Sequence, residues 1–274
     1  MPDSKARLAG QRRQIVERLF PDGIPTLWCP PLTHYDDRGA LDRERMRAHL
    51  RFMQPWVKGF LVPGSTGEGW DMSGEEARDL VAFMADEIGE VRGRLLVGIL
   101  ASTVDEMLRR IEDAMAWLRR RTGEREALAC LAGSPVCGFT VCPPSGSGLG
   151  QDAIRTGLEQ VLSLGVPVAL YQLPQVTGNE MSPETVAGLA ARFPAFYLFK
   201  DSSGADRVAA SGFREAFLVR GAEGGYAGQL APAGGSYDGF LLSTANGFAR
   251  QLGEMIADVR AGRRKEADAF SGKL

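Results

Sequence analysis

A chain of 274 residues with 44% hydrophobic content has apolar material for one barrel-sized core or two smaller ones. Its formal net charge of −2 leaves no electrostatic footprint for nucleic acid or for a polybasic membrane contact. No apolar stretch approaches the length of a membrane span and no secretory apolar region opens the chain, so a cytoplasmic protein with neither membrane nor nucleic-acid partners is expected.

Residues 5–20 are arginine-rich, but Leu8, Ile15, Val16, Leu19 and Phe20 form the apolar stripe of a surface helix, which is expected over residues 1–20. Eight apolar, β-branched or aromatic runs follow: Ile24–Cys29, Val57–Pro63, Arg94–Leu100, Gly138–Cys142, Val166–Leu173, Phe196–Lys200, Phe217–Arg220 and Gly239–Ser243. Their spacing, roughly 20–45 residues, is what a strand, a helix and two loops require. The segments between them carry helix starts. Ser73 and Thr103 each precede a glutamate three residues on, the capping-box pattern. Ser182-Pro183 puts proline in a first turn, where its missing donor costs nothing.

Continuous apolar strands alternating with amphipathic helices predict a parallel sheet covered by helices. Eight such units predict an α/β fold closed as a (β/α)8 TIM barrel, one domain over 1–274. Residues 247–274 form the last barrel helix and a short helical tail, and Gly123–Val136 reads as a local elaboration.

Cys29, Cys130, Cys137 and Cys142 show no CxxC pair and sit in or beside apolar segments, so buried free thiols are expected. With His34 and His49 the only histidines and no HExxH spacing, no metal site is expected.

In this architecture the working residues lie at the C-terminal ends of strands. Five of the 32 basic residues are lysines, and Lys200 alone ends a buried strand. Burial disfavours an ammonium, and a neutral amine is what a Schiff-base nucleophile needs. The competing role is a lysine snorkelling from the strand end or paired with Asp201. Gly64-Ser65-Thr66-Gly67-Glu68 follows the second strand, with glycines that let N–H groups converge on an anion and hydroxyls that hold a carboxylate or relay a proton. Tyr171 ends the fifth strand, where its phenol either finds a packing partner or shuttles protons for Lys200.

GSTGE at 64–68, YQLPQVTGNEMSPETV at 171–186, FKDSSG at 199–204 and STAN at 243–246 occur together in this order. From about Ile24 onward the chain resembles the N-acetylneuraminate lyase / dihydrodipicolinate synthase superfamily of class I aldolases. The resemblance implies a lyase whose Lys200 forms an imine with pyruvate or another 2-oxo acid, and no cofactor beyond that covalent imine. It makes Tyr171 the proton shuttle and has Ser65 and Thr66, beside Gly64, hold the carboxylate. Ser65 would link Tyr171 to a proton relay, and Gly221 and Leu241 would line the imine pocket. It also implies a homo-oligomer, dimer or tetramer.

The departures bear on the second substrate. Val176 stands where the synthases carry a carboxylate-clamping arginine, and Cys142-Pro143-Pro144-Ser145 stands where they carry a tyrosine pair that completes the relay across a subunit interface. A valine makes no bidentate carboxylate contact. A lyase for aldol cleavage or condensation, or a related dehydration, with another second substrate is therefore expected. A genuine 4-hydroxy-tetrahydrodipicolinate synthase and a non-catalytic 2-oxo-acid-binding protein are the alternatives. Trp70 suggests a bulkier second-substrate pocket, and Arg220 is a candidate replacement cation.

Overall fold

The computed structural model describes residues 2–273. Eight parallel strands run β1 (Leu27–Cys29), β2 (Gly59–Val62), β3 (Arg94–Ile99), β4 (Val136–Val141), β5 (Val168–Gln172), β6 (Phe196–Asp201), β7 (Phe217–Arg220) and β8 (Gly239–Leu241). They pair in sequence order and β8 pairs with β1, closing the (β/α)8 barrel. Each strand lies on one of the eight apolar runs. β4 starts at Val136 rather than Gly138, because Val136 already pairs with Leu95 ahead of a register shift. β6 runs on to Asp201, which is held between Gln172 and Arg220.

Twelve α-helices among the described residues surround the strands: α1 (Pro2–Leu19), α2 (Arg43–Met53), α3 (Gly74–Glu90), α4 (Val104–Thr122), α5 (Ala127–Ala132) and α6 (Gln151–Leu162) in the first half. The second half holds α7 (Pro174–Thr177), α8 (Pro183–Ala190), α9 (Arg207–Ala210), α10 (Tyr226–Gln229), α11 (Ala245–Arg260) and α12 (Arg264–Ser271). The expected caps form. Ser73 and Glu76 make a reciprocal capping box on α3, Thr103 accepts from the Glu106 N–H, and Ser182 accepts from that of Thr185. The Gly123–Val136 stretch contains α5 and the first residue of β4.

Helix α1 packs below the barrel. Leu19 and Phe20 are buried, with Phe20 against Trp28 and Tyr197. Arg12 is buried with them and donates to the carbonyls of Phe196 at 2.7 Å and Ala190 at 2.5 Å. Trp28 is wholly enclosed, and its Nε1–H donates to the Pro25 carbonyl at 2.6 Å. Removing a core aromatic of this kind typically costs about 3–5 kcal/mol.

The ring of helices thins after β6. α9 and α10 are single turns, too short to cover β7 and β8. The tail helix α12 lies back over this flank, with Arg264 Nη1 donating to the Ala233 carbonyl at 2.7 Å and the Ala227 N–H to Ser271 Oγ at 3.3 Å. Burying Ala267 there closes the core where short connections would leave it open.

Candidate active site

A cavity of about 380 Å³ opens at the C-terminal end of the strands. Its walls include Ser65, Thr66, Tyr171, Lys200, Gly221 and Leu241, six of the seven residues singled out in the sequence. Gly64 is not on the wall. It packs against Pro30, where an added Cβ would lie 2.6 Å from the proline ring, and its carbonyl accepts from the Gly67 and Gly69 N–H groups.

Tyr171 and Lys200 are register partners on β5 and β6. Pairing places both side chains on the inner face, and the Lys200 ammonium lies 3.9 Å from the centre of the Tyr171 ring. Lys200 is 4% exposed and makes no ion pair among the described residues. Asp201 faces elsewhere: its carboxylate accepts from the Ser203 N–H at 2.9 Å and the Ser203 hydroxyl at 2.6 Å. Burial raises the Asp201 carboxyl above its ordinary range, with the Ser203 contacts opposing. Gly221 makes room for the lysine, since a Cβ there would lie 2.8 Å from Lys200 Cε and 2.1 Å from Ser202 Oγ.

Ser65–Gly67 forms one turn of 3-10 helix. The turn's bonds use the N–H groups of Gly67, Glu68 and Gly69, which leaves those of Ser65 and Thr66 for an anion in the cavity. The loop is fixed from outside by the Thr33 hydroxyl, which donates to the Gly67 carbonyl at 2.7 Å. The Ser65 hydroxyl does not reach the expected partner. It accepts from Trp70 Nε1–H at 2.9 Å, and no bond between Ser65 and Tyr171 forms. Trp70 is not on the cavity wall as its bulk suggested. It packs behind, with Tyr171, Leu173 and Cys142. Burial in that cluster pushes the Cys142 thiol up to about 12, against the opposing pull of the Lys200 charge.

Several wall residues escaped the sequence reading. Glu223 follows β7 and accepts from the Ser243 hydroxyl at 2.7 Å, the Thr244 N–H at 3.1 Å and the Tyr226 hydroxyl at 3.0 Å. Gln175 faces the cavity, and its amide donates to the Ser202 carbonyl at 2.9 Å. Position at a strand end was the available signal for Glu223. The STAN motif has a structural use too, because Asn246 bonds the Pro30 carbonyl and the Leu32 N–H and so ties down the loop after β1.

Arg220 does not supply a replacement cation. Its guanidinium is fully engaged outside the cavity, with Nε and Nη2 on Asp206 at 3.1 Å each and Nη1 on the carbonyls of Ala222 at 2.7 Å and Gly224 at 2.9 Å. Val176 is 46% exposed on α7 and does not line the cavity. Among the described residues, no group of three histidine, cysteine, aspartate or glutamate side chains is placed to hold a metal.

Comparison with known proteins follows the same lines. The family model of the dihydrodipicolinate synthetase family matches residues 151–274. A 4-hydroxy-tetrahydrodipicolinate synthase of Streptomyces coelicolor is 30% identical over 175 residues, covering 63% of this chain and 51% of that protein. The chain is thus similar to the dihydrodipicolinate synthetase family, most directly over residues 151–274. Another 4-hydroxy-tetrahydrodipicolinate synthase, from Chlorobaculum parvum, is 27% identical over 88% of this chain and 77% of its own length. The match thus spans about half of the Streptomyces relative and more of the Chlorobaculum one. A crystal structure of a dihydrodipicolinate synthase superposes with a TM-score of 0.74 at 18% identity, over 92% of this chain and 81% of that one, and so has the same barrel fold. No helix among the described residues is long and apolar enough to cross a membrane.

Proposed function

We propose that the chain is a Schiff-base lyase that cleaves or joins a carbon–carbon bond of a 2-oxo acid through an imine on Lys200. The observation that carries this reading is Lys200 itself, buried, without a carboxylate partner among the described residues, and opening into a cavity beside Tyr171 and two spare N–H donors. An unpaired buried cation is expensive unless it is used.

The neutral amine attacks the C2 carbonyl to give a carbinolamine, and the Tyr171 phenol gives its proton to the departing hydroxyl, so that water leaves and a protonated imine forms. As the C3–C4 bond breaks, its electron pair moves into the iminium and leaves an enamine. The resulting Tyr171 phenolate takes the proton of the C4 hydroxyl while the aldehyde departs, and the phenol returns it in the condensation direction. The N–H groups of Ser65 and Thr66 hold the carboxylate throughout. The iminium supplies the polarisation, so these steps call for no metal or organic cofactor.

Lys200 is the single cation among the cavity-wall residues, and Glu223 gives the wall a negative charge. That charge disfavours a second substrate bearing a carboxylate and favours one bearing hydroxyl donors. The competing reading, 4-hydroxy-tetrahydrodipicolinate synthase, has the names of the relatives behind it. A homo-oligomer in the cytoplasm completes the proposal, because four buried free thiols suit a reducing compartment. Light scattering tests the oligomer.

Borohydride reduction in the presence of pyruvate tests the chemistry. The expected result is a reduced pyruvate adduct on Lys200 by peptide mass. A protein that binds pyruvate without forming an adduct is a binder and not a lyase. Turnover of aspartate semialdehyde in a coupled assay would decide for the synthase.

A further inference from the structure

Trp70 has no part in the mechanism above, yet its indole makes a polar contact with a residue of the cavity wall. A serine hydroxyl has one proton to donate and two lone pairs with which to accept, whereas an indole N–H only donates. The 2.9 Å bond from Trp70 Nε1–H therefore fills one lone pair of Ser65 and fixes the position of its oxygen. The hydroxyl proton cannot go to Trp70, so it is available to an acceptor in the cavity that Ser65 lines. Trp70 is itself held by packing against Tyr171, Leu173 and Cys142, so the donor is pre-positioned.

We propose that Trp70 is a positioning residue that holds Ser65 as a hydrogen-bond donor to the carboxylate of the 2-oxo acid and ends the proton path at that side of the site. The inference rests on the Schiff-base reading and deepens it. Ser65 makes no bond to Tyr171 and an indole cannot pass a proton onward, so no proton leaves Tyr171 by way of Ser65 and Trp70. The proton that Tyr171 takes from the C4 hydroxyl returns to the substrate or leaves through the cavity mouth. Trp70 thus sets affinity for the 2-oxo acid, while Tyr171 sets the rate of proton movement.

The test follows the rate of borohydride trapping of Lys200 against pyruvate concentration. Trp70→Phe keeps a ring against Tyr171 and Cys142 and removes the N–H. The half-saturating pyruvate concentration is expected to rise about three- to tenfold, the worth of one neutral hydrogen bond. The maximal trapping rate should fall by less than that. Ser65→Ala should raise the same quantity, and the Ser65→Ala/Trp70→Phe double variant should equal Ser65→Ala alone, since the indole acts only through that hydroxyl. Should Trp70→Phe fail to fold, benzothienylalanine at position 70 keeps the indole's shape without its N–H and should give the same shift. An unchanged half-saturation, or additive effects in the double variant, overturns the role of Trp70. Absence of any adduct in the unmodified protein fails the parent reading instead, so the two failures are distinguishable.

Discussion

The ends of β6 and β7 lie side by side at the barrel mouth, each carries a buried cation, and the two cations are employed in opposite ways. Lys200 pairs in register with Val219, and Asp201 with Arg220. Because successive side chains alternate between faces, this offset of one residue turns Lys200 into the cavity and Arg220 away from it. Arg220, 6% exposed, is compensated by Asp206 and by backbone carbonyls. Lys200 has neither. A cation whose charge is fully satisfied serves structure, and a cation left unsatisfied at equal depth is available for chemistry.

The sharpest way to break this contrast is Lys200→Ala. Pyruvate adduct formation should vanish, and exchange of the pyruvate methyl protons in D2O, which requires the enamine, should fall by at least about 10³-fold. Thermal stability should hold, because trimming a side chain that ends in a cavity opens no core void. Exchange at the unmodified rate would remove Lys200 from the mechanism.

Tyr171→Phe separates the nucleophile from its neighbour. The ring remains under the lysine, and only the hydroxyl, which makes no protein hydrogen bond among the described residues, is lost. Methyl exchange should slow by about 10²–10⁴-fold, the usual range for removing a general acid–base, while the trapped adduct still forms. An unchanged rate would leave Tyr171 a packing residue.

Arg220→Met probes the other cation. Stripping the guanidinium leaves Asp206 with the Tyr237 hydroxyl but without its cation, and frees the carbonyls of Ala222 and Gly224. Losing hydrogen bonds to a charged group in this way costs about 1.5–3 kcal/mol, to be read from urea denaturation. The pyruvate adduct should still form at a temperature where the variant is folded. A stable variant unable to form the adduct would show that Arg220 acts on the substrate.

Much of this contrast was legible in the chain. The eight apolar runs and the caps at Ser73, Thr103 and Ser182 are local signals, and local signals survive folding. Lys200, Tyr171 and Ser65 could be singled out because strand ends converge in a closed barrel. What could not be read depends on direction and distance. Which way Arg220 points is fixed by pairing register with β6, and register between strands some 20 residues apart leaves no mark in composition. The Trp70–Ser65 bond arises because the loop turns through a left-handed Glu68. The capping role of Asn246 on the loop after β1 joins residues more than 200 positions apart. The reduction of α9 and α10 to single turns was missed because glycine-rich loops and short helices look alike at that length.

Val176→Arg adds a third cation near the mouth and carries the smallest expected effect. The sequence argument treats the missing arginine as the reason a carboxylate-bearing aldehyde is excluded, and by that argument its restoration is worth about tenfold to a hundredfold. The structure lowers that figure. Val176 lies on α7 with its side chain half exposed, while Gln175, the residue before it, faces the cavity and is bound to the Ser202 carbonyl. An arginine at 176 must reach around that glutamine, and it meets a cavity whose far wall carries the Glu223 carboxylate. Activity toward aspartate semialdehyde should therefore rise by less than about tenfold in Val176→Arg, a partly screened contact. It should rise further when Glu223→Gln removes the opposing charge. A hundredfold gain from Val176→Arg alone would mean that α7 turns position 176 into the cavity when substrate binds, and that Glu223 does not set the second-substrate preference.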